Sequence, residues 1–143
     1  MDDHAAPLLE RVFRAVEQRD IDAALAPMAV DIDLFDPHYP KPRMNGHEEV
    51  RAGLEWGMAS MERFGFITRN SFLSADGMAC AIEVDTRHRL KTGMELAFPQ
   101  VFVAEARNGV LTRLHAYEPY GPNGIGGFFL GLARLKRRFT GAR

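Results

Sequence analysis

The feature that most constrains how this chain folds is a change of hydrophobic period at Gly65. Before it, apolar residues recur at three- and four-residue spacing, and after it they alternate. Phe66 to Ser74, Met78 to Leu90, Met94 to Ala106 and Val110 to Tyr120 read as four long strands, separated by Ala75-Asp76-Gly77, Lys91-Thr92-Gly93 and Arg107-Asn108-Gly109. A glycine in each short connection suits tight turns, so the strands are expected to form antiparallel hairpins. In the second strand Met78, Cys80, Ile82 and Val84 share one side, and Glu83, Asp85, Arg87 and Arg89 share the other. One face of the sheet is therefore core, and the other is solvated or an oligomer contact.

The first half of the chain is mainly helical. Pro7 suits a first helical turn, and Leu9, Val12, Phe13 and Val16 follow at helical spacing up to about Arg19. Asp20 or Asp22 caps a shorter helix through Leu25, which Pro27 ends, and residues 30–35 suit a strand. A further helix runs from about His47 to Arg63, with Val50, Leu54, Met58 and Met61 on one side and Glu48 and Glu49 in the first turn, where the helix dipole favours acids. Helices, a strand, a helix and then a meander predict an α+β fold with helices on one face of a curved sheet. Such a sheet leaves a cone-shaped hollow, a default ligand site.

Between the first strand and that helix lies a loop stiffened by Pro37, Pro40 and Pro42. Proline fixes its own φ and biases the preceding residue toward extended geometry, which places Asp36 at the end of the strand. The loop also carries His38 and Tyr39, so one short segment offers a base, an acid and an aromatic wall. Asp before Pro also ends strands by bonding nearby backbone N–H groups, and that structural role stands beside the catalytic one.

The 143 residues form one expected domain, with a core at about 8–120 and an extension over 121–143. A net charge of −1 argues against nucleic acid as a partner. The single cysteine, Cys80, forms no internal disulfide, and no Cys/His grouping has zinc spacing, so neither metal nor cofactor is expected. The acidic start Met1-Asp2-Asp3-His4 is unlike a signal peptide, and no apolar run approaches a membrane span, which makes a reducing cytoplasm the expected location. Residues 121–143 hold five basic side chains and no acid, leaving 13 basic against 19 acidic residues before them. There Phe128, Phe129, Leu130, Leu132 and Leu135 precede Lys136-Arg137-Arg138-Phe139, which suits an amphipathic helix of about three turns. It is expected to close the cone or dock on a second subunit; so short and charged a helix makes a marginal membrane anchor.

Several short pieces in this order resemble one superfamily: Asp20-Ile21-Asp22-Ala23-Ala24-Leu25, Phe35-Asp36-Pro37, Pro42-Arg43 leading to Gly46, and Glu49-Val50-Arg51. Over residues 8–120 the chain resembles the ketosteroid isomerase and SnoaL-like polyketide cyclase group of the nuclear transport factor 2-like superfamily. The resemblance implies a cone-shaped α+β barrel. In the ketosteroid isomerases an aspartate shuttles a proton while a tyrosine and a protonated aspartic acid hold the oxyanion. By resemblance Asp36 takes the place of that base, Val12 that of the tyrosine and Gln100 that of the acid.

Phe98, Gln100 and Phe102 share a face of the third long strand, and Arg113, His115 and Tyr117 share a face of the fourth. If these strands pair through the Asn108-Gly109 turn as the resemblance suggests, Gln100, His115 and Tyr117 point together into the hollow. Gln100 then donates to an oxyanion, and His115 or Tyr117 to a substrate oxygen. For His115 and Tyr117 ordinary core packing is the plain alternative. His38, Tyr39, Trp56, Phe98, Phe102 and Val12 complete the expected pocket. Two functions follow: a small cofactor-free isomerase, cyclase or dehydratase acting on an apolar carbonyl compound by proton transfer, or a non-catalytic module for hydrophobic ligands or dimerisation. In either case a homodimer through the open sheet face is expected.

Overall fold

Helical spacing before Gly65 and alternation after it are both realised in the computed structural model, which describes residues 2–118 and 124–141. The order is α1 (Ala5–Glu17), α2 (Ile21–Leu25), β1 (Met28–Phe35), β2 (Arg43–Asn45), α3 (Gly46–Ser60), β3 (Met61–Arg63), β4 (Phe66–Leu73), β5 (Ala79–Leu90), β6 (Glu95–Arg107), β7 (Val110–Tyr117) and α4 (Gly124–Thr140). The sheet runs β2-β1-β7-β6-β5-β3, with β4 also on β5; only the β1–β7 pair is parallel. It is curved and unclosed, with α1 and α3 on its concave side.

The core lies where α1 meets this concave face. Leu8, Leu9, Val12, Phe13 and Val16 are buried against Ile82, Val84, Phe102, Ala104 and Leu114. Each such side chain contributes roughly 1.5–3 kcal/mol through removal from water. The first N–H of α1 is satisfied by the β4–β5 turn, where Ala5 donates to the Gly77 carbonyl at 2.9 Å. Asp20 caps α2 by accepting from Ala23 N–H at 2.9 Å.

α3 ends three residues before the expected Arg63, because Met61–Arg63 leave the helix to pair with Arg89 and Leu90 as β3. Arg19 closes the last turn of α3, its guanidinium donating to the carbonyls of Met58 at 2.6 Å and Met61 at 2.8 Å. The proline loop is itself a hairpin connection: β2, not foreseen from the sequence, pairs Arg43 with Phe35, and Asp36 N–H donates to the Pro42 carbonyl at 2.9 Å.

The β6–β7 hairpin decides which residues face inward. Asn108 (φ 51°) and Gly109 (φ 77°) both take left-handed geometry, as a two-residue hairpin turn requires. Arg107 pairs with Val110 and Ala106 with Leu111, but Glu105 pairs with Arg113. Thr112 is thus the extra residue of a β-bulge, and everything after it is shifted by one. Leu114 and Ala116 turn into the core, and Arg113, His115 and Tyr117 turn out.

Candidate functional site

Between α1, α3 and the concave sheet lies a cavity of about 290 Å3, near the lower end of the usual range for small-molecule sites. Its walls are almost wholly apolar: Val12 and Phe13 from α1, Leu54 and Trp56 from α3, and Phe98 and Phe102 from β6. Phe102 packs edge-on to Phe13, ring centroids 4.9 Å apart. Tyr39 lies along α3 beside Gly53 and Gly57; a Cβ at Gly53 would crowd Met44 and the Tyr39 ring, the latter at 3.3 Å. Burial of this ring drives the phenol pKa upward, so its hydroxyl stays protonated.

Polar groups converge on one wall. Asp36, at the end of β1, accepts the His38 backbone N–H on Oδ1 at 3.0 Å, and the same oxygen lies 3.3 Å from His38 Nδ1. His38 Nε2 meets Glu118 Oε2 at 2.8 Å on the other side. The imidazole therefore bridges two carboxylates. The hydrogen bond to Asp36 raises the His38 pKa, opposed by desolvation and aided by the charges of Asp36 and Glu118. Desolvation raises that of Glu118, aided by the Asp36 charge and opposed by His38; its buried Oε1 has no hydrogen-bond partner among the described residues.

Gln100 completes the wall. Thr86 Oγ1, fully buried, donates to Gln100 Oε1 at 2.6 Å, which fixes the orientation of the amide. Its Nε2 then lies 3.4 Å from His38 Nδ1, a weak contact that becomes a hydrogen bond when His38 is neutral with Nδ1 unprotonated. Across the Phe98 ring from His38 stands His88. Desolvation, with the nearby His38 charge, lowers its pKa to about 4, and its Nδ1 accepts Gly65 N–H at 3.2 Å. At neutral pH His88 is an uncharged ring carrying its proton on Nε2. No group of three or more His, Cys, Asp or Glu is arranged to hold a metal ion among the described residues.

The profile of the SnoaL-like domain matches residues 9–114. The chain belongs to the SnoaL-like domain family. No curated protein sequence matches it at a significant level. Among solved structures, a proposed polyketide cyclase from Xanthomonas campestris pv. campestris is 21% identical, with a TM-score of 0.70 over 78% of this chain and 87% of that one. The Δ5-3-ketosteroid isomerase from a Mycobacterium species is 20% identical (TM-score 0.69; 78% and 90% covered). A Mycobacterium tuberculosis protein in complex with estradiol-17β-hemisuccinate is also 20% identical (TM-score 0.69; 78% and 91% covered). At these identities the likeness establishes the cone-shaped fold.

Within this SnoaL-like domain the expected site residues divide. Asp36, His38, Tyr39, Trp56, Phe98, Gln100, Phe102 and Val12 line the cavity. His115 and Tyr117 do not point into it, contrary to the sequence reading. An unbroken hairpin register would have set Tyr117 opposite Gln100; the bulge at Thr112 sets Tyr117 opposite Val101 on the outer face. There His115 Nε2 donates to Asp33 at 3.1 Å and its Nδ1 accepts from Arg113 at 3.3 Å. Glu118, which sequence reasoning missed, falls opposite Gln100, one step past the last pair. The signal was legible: Leu111 and Leu114 are three apart within an alternating strand, which betrays the extra residue. Thr86 and His88 were also missed, because nothing in alternation alone distinguishes a buried polar residue from a core position.

Proposed function

We propose that this protein is a small enzyme that moves a proton on an apolar, carbonyl-bearing compound, in the manner of an isomerase, cyclase or dehydratase. The observation that carries the reading is a single polar wall, Asp36–His38–Gln100, in a cavity otherwise built of hydrocarbon and aromatic surface. An apolar lining removes the substrate from water, and the few convergent polar groups orient its oxygen. Asp36 Oδ2 has no protein donor among the described residues and is the free oxygen of the base. The Gln100 amide supplies an N–H donor for the oxyanion that forms when a proton leaves the carbon next to a carbonyl, while His38, its two ring nitrogens on Asp36 and Glu118, holds the base in place. Glu118 acts through His38, holding the ring and keeping it charged. The solved relatives lend support, since one is a ketosteroid isomerase and another holds a steroid ester.

The test compares wild type with Asp36→Asn on a panel of enone and polyketide-like substrates. The amide keeps the shape and cannot take the proton, so turnover should drop about 10²- to 10⁴-fold. Equal turnover by both proteins removes Asp36 from the base role. A homodimer through the outer sheet face, where Phe72 and Tyr117 are exposed, accompanies this reading; a monomeric mass by light scattering overturns it. A cytoplasmic location, expected from the single cysteine, accompanies this reading.

A further inference from the structure

We propose that α4 is a membrane-surface helix that seats the protein on an anionic bilayer. Phe128, Leu132, Leu135 and Phe139 fall at i, i+4, i+7 and i+11 and form one stripe, with Phe129 at its edge. These are large apolar side chains, and all are exposed, Phe139 at 83% and Phe128 at 63%. Arg134 and Arg137 occupy the opposite side, where Leu130 also falls, and Lys136 and Arg138 flank the stripe, where their stems lie along apolar surface while the charges reach outward. A helix with aromatic and leucine residues on one face and cations on the other lies in the plane of a lipid interface.

Two observations favour lipid over a protein groove. Residues 121–143 carry five cations and no acid, while the rest of the chain holds 13 basic against 19 acidic residues. An anionic surface therefore attracts α4 and repels the remainder, which leaves the helix as the contact. At 17 residues α4 is about 25 Å long, enough to lay the whole stripe on a bilayer. No helix among the described residues is long and apolar enough to cross one. The helix formed is longer than the three turns expected from the sequence, and it carries Phe139 on the stripe.

The experiment is co-sedimentation of the full chain with vesicles of phosphatidylcholine alone and vesicles enriched in phosphatidylserine. Each cation near such a surface is worth about fivefold in partitioning. Binding should be at least tenfold tighter to the anionic vesicles and should weaken with added salt. Arg137→Gln with Arg138→Gln should weaken it about 25-fold, and Phe128→Ser with Leu132→Ser should weaken binding to both vesicle types. Thermal melting checks that the variants keep the folded body. Absence of binding, or equal binding to both vesicle types by wild type and the arginine variant, overturns the proposal. So does a dimer that Phe128→Ser with Leu132→Ser converts to monomer while the wild type ignores vesicles, which assigns the stripe to a second copy.

Discussion

Two histidine–carboxylate clusters sit on opposite faces of the same sheet. Inside, His38 stands between Asp36 and Glu118 in an apolar cavity, with no guanidinium within hydrogen-bond reach of either acid among the described residues. Outside, His115 meets Asp33, while Arg43 pairs with Asp33 at 2.9 Å and Arg113 with Glu105 at 3.0 Å. The residue types are nearly the same, but each outer carboxylate is answered by an arginine in contact with solvent. The inner pair shares one imidazole and little water. A carboxylate answered by arginine in water is a surface ion pair, whereas one that shares a single imidazole in an apolar cavity suits the role we propose for Asp36.

The largest effect should come from removing what keeps the two clusters apart. Inserting one alanine after Arg113 adds a residue that the bulge at Thr112 does not absorb and flips the rest of β7, so that His115 and Tyr117 point into the core and Leu114 points out. Burying His115 away from Asp33 while exposing a core leucine should cost upwards of about 4 kcal/mol. Loss of the cooperative thermal transition is the expected readout. An insertion variant as stable as wild type would show that the register of β7 does not set the faces.

Next in size is an asymmetry in pH dependence. His88 is held neutral, with its pKa depressed to about 4 against 6.5 in the unfolded chain. Its contribution to stability is complete above pH 6.5 and is lost as pH falls toward 4, by roughly 3 kcal/mol. His38 has the opposite sign: its raised pKa stabilises below pH 6.5, and that contribution disappears as pH rises through the folded value. Glu118, also raised, loses stability as pH rises past its ordinary value of 4.5 and so partly offsets His88. The difference between wild type and His88→Phe isolates the His88 contribution, because the other two titrate in both proteins. Urea midpoints from pH 7 to 4.5 should fall less in the variant, and parallel curves would refute the burial of a neutral ring.

Glu118→Gln sharpens the same contrast in catalysis. Losing that charge lowers the His38 pKa, so the alkaline limb of the rate profile should move to lower pH. Asp33→Asn, on the outer face, should leave the profile where it is. Equal shifts from both would mean that Glu118 acts only as long-range charge and does not position His38.

The fold was legible because burial follows a period, and the period changes once, at Gly65. Asp36, His38 and Gln100 were legible because prolines and alternation fix which way they face. Orientation after Thr112 was misread because a turn of known type was taken to imply an unbroken ladder, and one extra residue reverses every later side chain. The role of Arg19 at the end of α3 spans 39 residues to Met58 and leaves no local pattern. Glu118 belonged to a strand already recognised, and only the register made it a partner of His38.

The smallest effect belongs to the outer cluster, and it separates charge from hydrogen bonding there. Asp33→Asn keeps an oxygen that accepts the His115 Nε2–H and removes only the charge facing Arg43. Because these groups reach solvent, the cost should stay below about 1 kcal/mol and shrink further in salt. Asp33→Leu also strands the His115 N–H, whose ring is largely buried, and should cost about 1–3 kcal/mol independently of salt. Urea midpoints at low and high ionic strength measure both. If Asp33→Asn proves as costly as Asp33→Leu and equally insensitive to salt, the outer carboxylate is not the screened surface partner that its pairing with Arg43 implies, and the contrast with Asp36 loses its electrostatic basis.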